Sequence, residues 1–210
     1  MAKLLHIESS PRKDRSSSIA VARQFLEVYQ AKNPNDMVET LDLWEANLPR
    51  FDGSTIEAKY AILNGQPHTQ EQRNAWQAVV KLAEHFKSAD KYLFSLPMWN
   101  FGIPYVLKHY IDVLVQPGLT FSYTPGEGYK GLVTGRAAAA VYARGGDYSA
   151  GTGAEGYDKQ SDYLRAILGF IGLTDVRQVF VEPTIAGGQE MKEKAIAAAK
   201  DQATKLAQVF

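Results

Sequence analysis

The stretch KLLHIESSPRKDRSSSI, residues 3–19, decides the fold, because it joins a short apolar run to a helix through a turn rich in hydroxyl groups. Residues 3–7 are apolar enough to predict a buried strand. After the turn, apolar residues recur at the three- and four-residue spacing of one helical face: Ile19, Ala22, Phe25, Leu26 and Tyr29. The serines at 16–18 provide an N-cap for that helix. A strand that passes directly into a helix predicts the first half of a parallel strand, helix, strand unit.

The same alternation of strand and helix repeats along the chain. Further apolar runs that end in turn residues predict strands at residues 37–43, 92–96, 137–142 and 176–181. Helical spacing fills the intervals at residues 70–88, 104–116, 158–171 and 189–210. We therefore expect an α/β protein with a doubly wound five-stranded parallel sheet of order 2-1-3-4-5, with helices on both faces, in one domain over residues 1–210.

Two stretches lack a clear period. Residues 45–65 contain Pro49 and Gly53, and we expect them to form a long connection. Residues 120–123 and 129–133 flank a turn of proline and glycine, which predicts a small antiparallel hairpin.

Composition excludes several classes of function. The 210 residues include 23 lysines and arginines, 23 aspartates and glutamates and no cysteine. A net charge of zero gives no attraction to polyanions, so nucleic acid is not expected as a partner. Without cysteine there are no disulfides or iron–sulfur ligands, and redox chemistry requires a bound cofactor. The N-terminal apolar run is too short for a signal peptide or a membrane span, so we expect a cytoplasmic protein that does not enter a membrane.

The loop after the first strand is an expected anion site. In an open parallel sheet, ligands bind at the carboxyl ends of the strands where the strand order reverses, here strands one, three and four. Ser10 and the serines at 16–18 lead into a helix whose first amides and dipole favour a phosphate. Three cations, Arg12, Lys13 and Arg15, exceed what an ordinary N-cap needs.

The loop after the third strand is unusually apolar. Its residues are Pro97, Met98, Trp99, Asn100 and Phe101. Because loops are normally polar, large apolar side chains here predict a flat apolar ligand that covers them. The competing interpretation is that Trp99 and Phe101 only close the end of the sheet, since aromatic residues most often serve packing.

The loop after the fourth strand begins Ala143-Arg144-Gly145-Gly146. Paired glycines permit the backbone to approach a planar ligand closely. Glycine-rich loops are most often plain turns, so this signal is weak when taken alone.

Two other motifs are set aside. Residues 151–156 fit the dinucleotide pattern G-x-G-x-x-G, with Glu182 as the later acid, but a loop from Gly145 onward separates them from the preceding strand. We interpret these glycines as loop residues. The four histidines lack metal-ligand spacing, so we expect surface or packing roles and no metal site for His6, His68, His85 and His109.

The three loops, together with further segments, resemble the FMN-dependent NADH-azoreductase family of flavodoxin-like quinone and azo-dye reductases. The matching segments span nearly the whole chain in order: Ser9-Ser10, Ser16-Ser17-Ser18, Pro97 to Phe101, residues 118–123 and 131–135, Arg144-Gly145-Gly146 and residues 168–176. The resemblance implies a flavodoxin-like fold and a homodimer with FMN at each interface. It also implies two-electron ping-pong transfer of a hydride from NADH or NADPH to a quinone or azo compound.

The resemblance also implies a role for each loop. Ser10, Ser16, Ser17 and Ser18 would hold the FMN phosphate. Pro97, Met98, Trp99, Asn100 and Phe101 would lie along the isoalloxazine, and Ala143, Arg144, Gly145 and Gly146 would border its pyrimidine edge. Because the flavin itself carries the hydride, we expect no catalytic side chain. Backbone amides near Asn100 and Gly145-Gly146 would stabilise charge on the reduced ring.

Two departures from the family bear on the substrate. Trp99 stands where the family often has tyrosine, and Ala143 stands where it often has serine. Backbone contacts survive both changes, but the wider indole alters the stacking area and the shape of the pocket.

Three questions stay open from the sequence. A flavin-binding electron carrier or regulatory module would share the fold, although a net charge of zero does not suggest the acidic docking face of such carriers. A nucleotide-binding domain without redox function would account for the glycines at 151–156. The sequence does not distinguish NADH from NADPH as the donor, and it does not identify the physiological acceptor.

The expected dimer would form through Phe121, Tyr123, Tyr129 and the third predicted helix, residues 104–116.

Overall fold

A five-stranded parallel sheet forms the centre of the fold in the computed structural model, which describes residues 1–210. Its strands in chain order are β1 (Lys3–Glu8), β2 (Met37–Asp42), β3 (Lys91–Pro97), β6 (Ala137–Ala143) and β7 (Asp175–Val181), and their spatial order is β2-β1-β3-β6-β7. Because β6 and β7 are the fourth and fifth strands of this sheet, the predicted order 2-1-3-4-5 is confirmed. The strands β4 (Phe121–Thr124) and β5 (Gly128–Gly131) form a separate antiparallel pair.

Six α-helices accompany the strands. They are α1 (Ser17–Lys32), α2 (Gly53–Leu63), α3 (Gln70–Lys87), α4 (Tyr105–Leu114), α5 (Lys159–Phe170) and α6 (Gly188–Ala207), with short 3-10 turns at Lys13–Arg15 and Glu155–Tyr157. None of the helices combines the length and apolar character that a bilayer span requires.

Alternate residues of the central strands divide the core into two layers. Leu4 and Leu93 pack with α1 and α6 on one face of the sheet. Leu5 and Phe94, their neighbours in sequence, pack with α3, α4 and α5 on the other face. Successive side chains of a strand point to opposite faces, so the continuous apolar runs seen in the sequence are those of strands buried on both sides.

Local capping signals set the starts of the helices. The Ser16 hydroxyl accepts a hydrogen bond from the Ile19 amide at 3.4 Å, which confirms the predicted N-cap of α1. The carboxylate of Asp158 caps α5 by accepting from the amides of Gln160 and Ser161. Both cap residues lie directly after loops of the carboxyl edge of the sheet, so capping also determines where those loops end.

The prediction of a plain connection over residues 45–65 was wrong, because α2 occupies much of it. Only Thr55 and Ala58 of this helix are buried, whereas its large apolar residues such as Tyr60 and Leu63 are exposed. The sequence of α2 therefore lacks the stripe of buried apolar residues, three or four positions apart, by which the other helices were predicted. The available signal was Asp52, whose carboxylate accepts from the Thr55 amide at 3.2 Å as an N-cap.

The predicted hairpin is present, with Tyr123 opposite Tyr129 in the register of β4 and β5. Its second strand is shorter than expected and ends at Gly131, because the Val133 amide instead donates to the Ile171 carbonyl at 2.8 Å.

Substitution of Leu93 tests how much the apolar core around the sheet contributes to stability. It is fully buried in β3, and Leu93→Ala leaves a cavity that costs about 2–5 kcal/mol. We expect the melting temperature to fall on the order of 10 °C by differential scanning calorimetry. The matched control Leu63→Ala removes the same atoms from a half-exposed site and should cost less than about 0.5 kcal/mol. Equal shifts in the two variants would contradict the described core.

Candidate functional site

Three loops meet at the carboxyl edge of the sheet, after β1, β3 and β6. These strands are direct neighbours, so their loops emerge side by side. The Ser9 amide donates to the Ser95 carbonyl at 3.1 Å, and the Met98 amide donates to the Ala143 carbonyl at 2.8 Å. Each loop is thus hydrogen-bonded to the neighbouring strand end before it turns outward.

The loop after β1 presents free donors at the N-terminus of α1. Ser10, Ser16 and Ser18 are buried, and the hydroxyls of Ser16 and Ser18 lie 3.1 Å apart. The backbone N–H groups of Ser17 and Ser18 have no acceptor within the protein. The first turn of α1 carries no acidic side chain, so nothing in it neutralises the positive end of the helix dipole. This arrangement suits a phosphate.

The cations of this loop contribute less than the sequence suggests. Lys13 forms ion pairs with Asp42 and, at 3.9 Å, with Glu8, whose pKa is raised by burial and by the neighbouring Asp42 carboxylate. Its charge is therefore compensated by carboxylates. Arg12 and Arg15 are exposed and have no carboxylate partner. The free amides of α1 are the stronger anion-binding feature.

A strained turn follows β3. Trp99 and Gly102 exchange two backbone hydrogen bonds, of 3.0 and 2.9 Å, around Asn100 and Phe101. Both central residues have positive φ, +48° and +67°. Asn tolerates this region, whereas a bulky phenylalanine rarely adopts it. Such strain costs about 1–3 kcal/mol and is found mainly at functional sites. The two central amides point away from the turn and have no acceptor within the protein.

Aromatic side chains lie on both sides of this turn. On one side, the Trp99 ring lies 5.9 Å from that of Trp44 and 6.1 Å from that of Tyr105. On the other side, Phe101 stacks on Tyr157 at 4.9 Å. Phe101 is 45% exposed, so it does not close the end of the sheet. The aromatic surface is available to a flat ligand.

In the loop after β6, the Arg144 side chain is turned inward. It is only 2% exposed and donates to Gln160 at 3.1 Å, to Asp158 at 2.5 Å and to Glu182 at 3.4 Å. Its guanidinium also lies 4.3 Å from the centre of the Phe180 ring. Burial acts to raise the pKa of Asp158, but hydrogen bonds from Ser161 and the charge of Arg144 keep it below its usual value. Arg144 can therefore meet a ligand only through its backbone.

The two glycines after Arg144 present their backbone. The N–H groups of Gly145 and Gly146 have no acceptor within the protein, while the Gly145 carbonyl accepts from the amides of Ile185 and Ala186. A Cβ added at Gly145 would lie 3.1 Å from Cδ1 of Ile185, which is the far end of an exposed side chain that can move aside, so packing does not require glycine there. The free amides, rather than a steric need for glycine, distinguish this loop.

A cavity of about 730 Å³ opens beside the strained turn. Trp99, Asn100 and Tyr105 form its inner side, and it extends along α4 to the start of α5. Burial raises the pKa of Tyr163 in its wall, so that hydroxyl remains protonated and can donate a hydrogen bond. Its size and aromatic lining are those of a pocket for a ring-shaped molecule.

Five aromatic residues of the site were not among the sequence candidates: Trp44, Phe51, Tyr105, Tyr157 and Tyr163. Trp44 follows β2 directly, and its indole N–H donates to the Ser9 carbonyl at 2.9 Å. Tyr105 opens α4. The rule that ligands bind at the carboxyl ends of strands could have identified Trp44, whereas Tyr105 is the expected start of an ordinary helix.

Of the features set aside above, the glycines at 151–156 and His6 lie outside this arrangement, whereas His109 lines the cavity. The glycines at 151–156 follow β6 by several residues and belong to a turn before α5, not to a strand–helix junction. His6 lies within the sheet, with its ring nitrogens 2.9 Å from Ser95 Oγ and 3.3 Å from Thr40 Oγ1. Burial, aided by the charge of Arg23, lowers the pKa of His6 to about 4. A neutral packing role is therefore consistent with its surroundings.

Thermal unfolding of a variant can test how much the hydrogen-bond network of Arg144 contributes to stability. Arg144→Met leaves the carboxylates of Asp158 and Glu182 largely buried without their cation, which costs about 3 kcal/mol. We expect a melting temperature lower by roughly 6–12 °C. Arg165→Met is the control, because its pair with Asp162 is exposed and should contribute less than about 1 kcal/mol. An equal shift in both variants would show that the buried network does not hold the loop.

Comparisons with known proteins agree with this geometry. A family model described as a flavodoxin-like fold matches residues 2–207. The chain is 51% identical over 210 residues to the "FMN-dependent NADH:quinone oxidoreductase" of Nitratidesulfovibrio vulgaris strain DP4, with 100% of both chains covered. It is 47% identical to the protein of that name from Desulfotalea psychrophila, covering 99% of this chain and 97% of that one.

Solved structures give the same result. The azoreductase from Bacillus anthracis strain Sterne superposes with a TM-score of 0.91 at 34% identity over 100% of both chains. An FMN-dependent NADH-azoreductase from Bacillus anthracis strain Ames Ancestor, solved in complex with FMN, has a TM-score of 0.86 at 31% identity, covering 98% of this chain and 99% of that one. The resemblance stated from the sequence is confirmed, and the chain belongs to the FMN-dependent NADH:quinone oxidoreductase and azoreductase family of the flavodoxin-like fold.

Proposed function

We propose that this protein is an FMN-dependent NAD(P)H oxidoreductase that reduces quinones and aromatic azo compounds by two-electron, ping-pong hydride transfer. The observation that carries the proposal is the set of backbone N–H groups without acceptors along one edge of the sheet. They lie at the start of α1, in the strained turn after β3 and at the glycines after β6. These amides are free to donate, and a single extended ligand can supply acceptors for all three loops.

FMN fits this arrangement. Its phosphate would be held by the N-terminal amides of α1 and the hydroxyls around them, at Ser10, Ser16, Ser17 and Ser18. Its ring would lie along Pro97, Met98, Trp99, Asn100 and Phe101. Its pyrimidine edge would meet the backbone of Ala143, Arg144, Gly145 and Gly146. FMN has one phosphate, and α1 is the helix at this edge whose start carries three consecutive serines, Ser16, Ser17 and Ser18.

Bound FMN supplies the chemistry, since it accepts a hydride from the nicotinamide and passes it to the acceptor. The role of the protein is to hold the FMN and to orient its ring. The amides of Asn100 and Phe101 are fixed by the reciprocal bonds of Trp99 and Gly102, so they can donate to the ring without reorganising. Arg144 fixes the glycine loop from beneath through Asp158 and the neighbouring network. No side chain is assigned as a general acid, and water can provide the product's protons.

The proposal also covers the oligomeric state and the cellular location of the protein. Tyr123 and Tyr129 are more than half exposed on the β4–β5 hairpin, close to Phe121 and Phe170. An exposed aromatic surface of this kind favours an interface between two copies, so we propose a homodimer. We place it in the cytoplasm as one domain over residues 1–210, with no nucleic acid or membrane partner. NADH is the expected donor, and NADPH remains open.

The reaction can be tested by anaerobic stopped-flow. Mixing the FMN-loaded protein with NADH should bleach the flavin absorbance in a single two-electron step, and a second mixing with a quinone should restore it. Steady-state rates against both substrates should give the parallel lines of a ping-pong cycle. If NADH leaves the absorbance unchanged while a protein electron donor bleaches it, the protein is an electron carrier instead. If the purified chain takes up no FMN, it is a nucleotide-binding domain without redox function.

The cofactor site can be tested by thermal shift. FMN at one hundred times its dissociation constant should stabilise the apoprotein by about 2.7 kcal/mol, or roughly 5–10 °C. Riboflavin lacks the phosphate and should give much less, and FAD should not bind. Ser17→Pro removes one free N–H at the first position of α1, where proline is well tolerated. Loss of a hydrogen bond to a charged group weakens binding about tenfold or more, which halves the FMN shift.

Ser17→Ala is the matched control, because it keeps the amide and removes only the hydroxyl, so its FMN shift should fall less than that of Ser17→Pro. The riboflavin shift should be the same in both variants. An undiminished FMN shift in Ser17→Pro, or an equal shift from FAD, would place the phosphate elsewhere.

A further inference from the structure

The turn after β3 has a bulky residue at a position where glycine is favoured. Trp99 and Gly102 exchange two backbone hydrogen bonds, and φ is positive at both residues between them, as in a type I′ turn. Such a turn favours the sequence Asn-Gly, because glycine adopts positive φ without a steric cost. Here the second of the two positions is Phe101, with a φ of +67°. Contacts with other parts of the protein must therefore hold the phenylalanine in this conformation.

Two tyrosines of the segment between β6 and α5 make such contacts. The Tyr157 ring stacks on the Phe101 ring, with the ring centres 4.9 Å apart and an angle of 28° between the planes. The Tyr148 ring meets Phe101 edge-on, with the ring centres 6.3 Å apart and an angle of 79° between the planes. Stacked and edge-to-face pairs at these distances are favourable arrangements of aromatic rings. The Phe101 side chain is thus held by rings from a different loop.

The chain directly after Tyr157 is anchored. Asp158 caps α5 and accepts a hydrogen bond from the Arg144 guanidinium at 2.5 Å. The Lys159 amide donates to the Phe101 carbonyl at 3.1 Å. Phe101 is therefore held at its carbonyl by Lys159 and at its ring by Tyr157. Because these two contacts come from one anchored helix start, together they oppose rotation of the Phe101 backbone.

The stack of Tyr157 on Phe101 forms within one chain. Both residues lie outside α4 and the β4–β5 hairpin, the parts that are expected to meet a second copy. The stack therefore requires no partner chain. Tyr157 is also absent from the apolar core clusters, so removal of its side chain leaves no core cavity. A change at Tyr157 acts on the turn and not on the core of the sheet.

We propose that Tyr157 is a positioning residue for FMN, which acts by keeping Phe101 in the conformation that directs the amides of the turn toward the flavin ring. This inference rests on the proposed function, in which the Asn100 and Phe101 amides donate to that ring. Tyr157 needs no contact of its own with FMN, and it adds no chemical step. Without the stack, the turn relaxes toward negative φ at Phe101. FMN binding must then restore the turn, which lowers the affinity.

The first measurement is FMN binding to the apoprotein by isothermal titration calorimetry. We expect Tyr157→Ala to weaken FMN binding about fivefold, because the stack that holds the turn is lost. Riboflavin binding should weaken by the same factor, since the turn is proposed to meet the ring and not the phosphate. Tyr157→Leu keeps an apolar side chain but has no ring, so it should also weaken binding. Tyr157→Phe is the matched control, because it keeps the ring and removes only the hydroxyl, and it should bind FMN as tightly as the unchanged protein.

The second measurement repeats Tyr157→Ala in a Phe101→Gly background. Glycine adopts this turn without strain, so the turn no longer needs the stack. Phe101→Gly by itself loses the contacts of the phenylalanine ring with FMN, but the added Tyr157→Ala should cause no further loss. A merely structural role of Tyr157, or a direct contact between Tyr157 and FMN, would give the same loss in both backgrounds.

Three results would overturn the inference. They are an unchanged FMN affinity in Tyr157→Ala, an equal loss in Tyr157→Phe, and an equal loss from Tyr157→Ala with and without Phe101→Gly. In each case, FMN uptake and quinone turnover by the unchanged protein would leave the proposed function intact. Absence of FMN uptake by the unchanged protein would refute the proposed function itself.

Discussion

Parallel pairing of β1, β3 and β6 sends three loops out of the sheet at one edge, and their backbone N–H groups find no acceptors there. An α-helix leaves its first amides free, as at Ser17 and Ser18, and a tight turn leaves its central amides free, as at Asn100 and Phe101. Where these donors are exposed, as at Asn100 and Phe101, water can satisfy them, and a ligand with acceptors in matching positions can replace that water. The edge is thereby suited to one extended molecule with a phosphate at one end and a ring with acceptor atoms at the other.

The donors keep their positions because ordinary packing opposes their relaxation. The turn after β3 has positive φ at a phenylalanine, which is unfavourable by itself. It is held from one side by the reciprocal bonds of Trp99 and Gly102 and from the other by the amide of Lys159. Beneath the glycine loop, Arg144 is surrounded by acceptors and aromatic rings. Binding energy is then not spent on ordering these loops, which is the advantage of a preorganised site.

The loop at residues 97–101 shows how far sequence reasoning reaches. Its apolar composition predicts a ligand site, because large apolar side chains in a loop are unfavourable unless something covers them. The positive φ of Asn100 and Phe101 left no such signal, since backbone geometry is imposed by the neighbouring β6 and α5 segments. Likewise Arg144 was expected to border the pyrimidine edge of the flavin together with its loop, and only its burial shows that its side chain contacts other residues of the protein.

The sequence by itself determined the layers and the parallel pairing, because apolar runs and helical spacing are local properties. The strand order was not readable from this periodicity and was predicted from the number of strands, since five strands fit the order 2-1-3-4-5 better than the six-stranded dinucleotide fold. The sequence also predicts which loops carry the site, through the serines at the start of α1 and the glycines after β6. It did not determine α2, whose exposed apolar residues lack a period, or the cavity shared by Trp99 and Lys159. Tertiary structure decided these, because whether a charge is paired or a ring is exposed depends on neighbours that are distant along the chain.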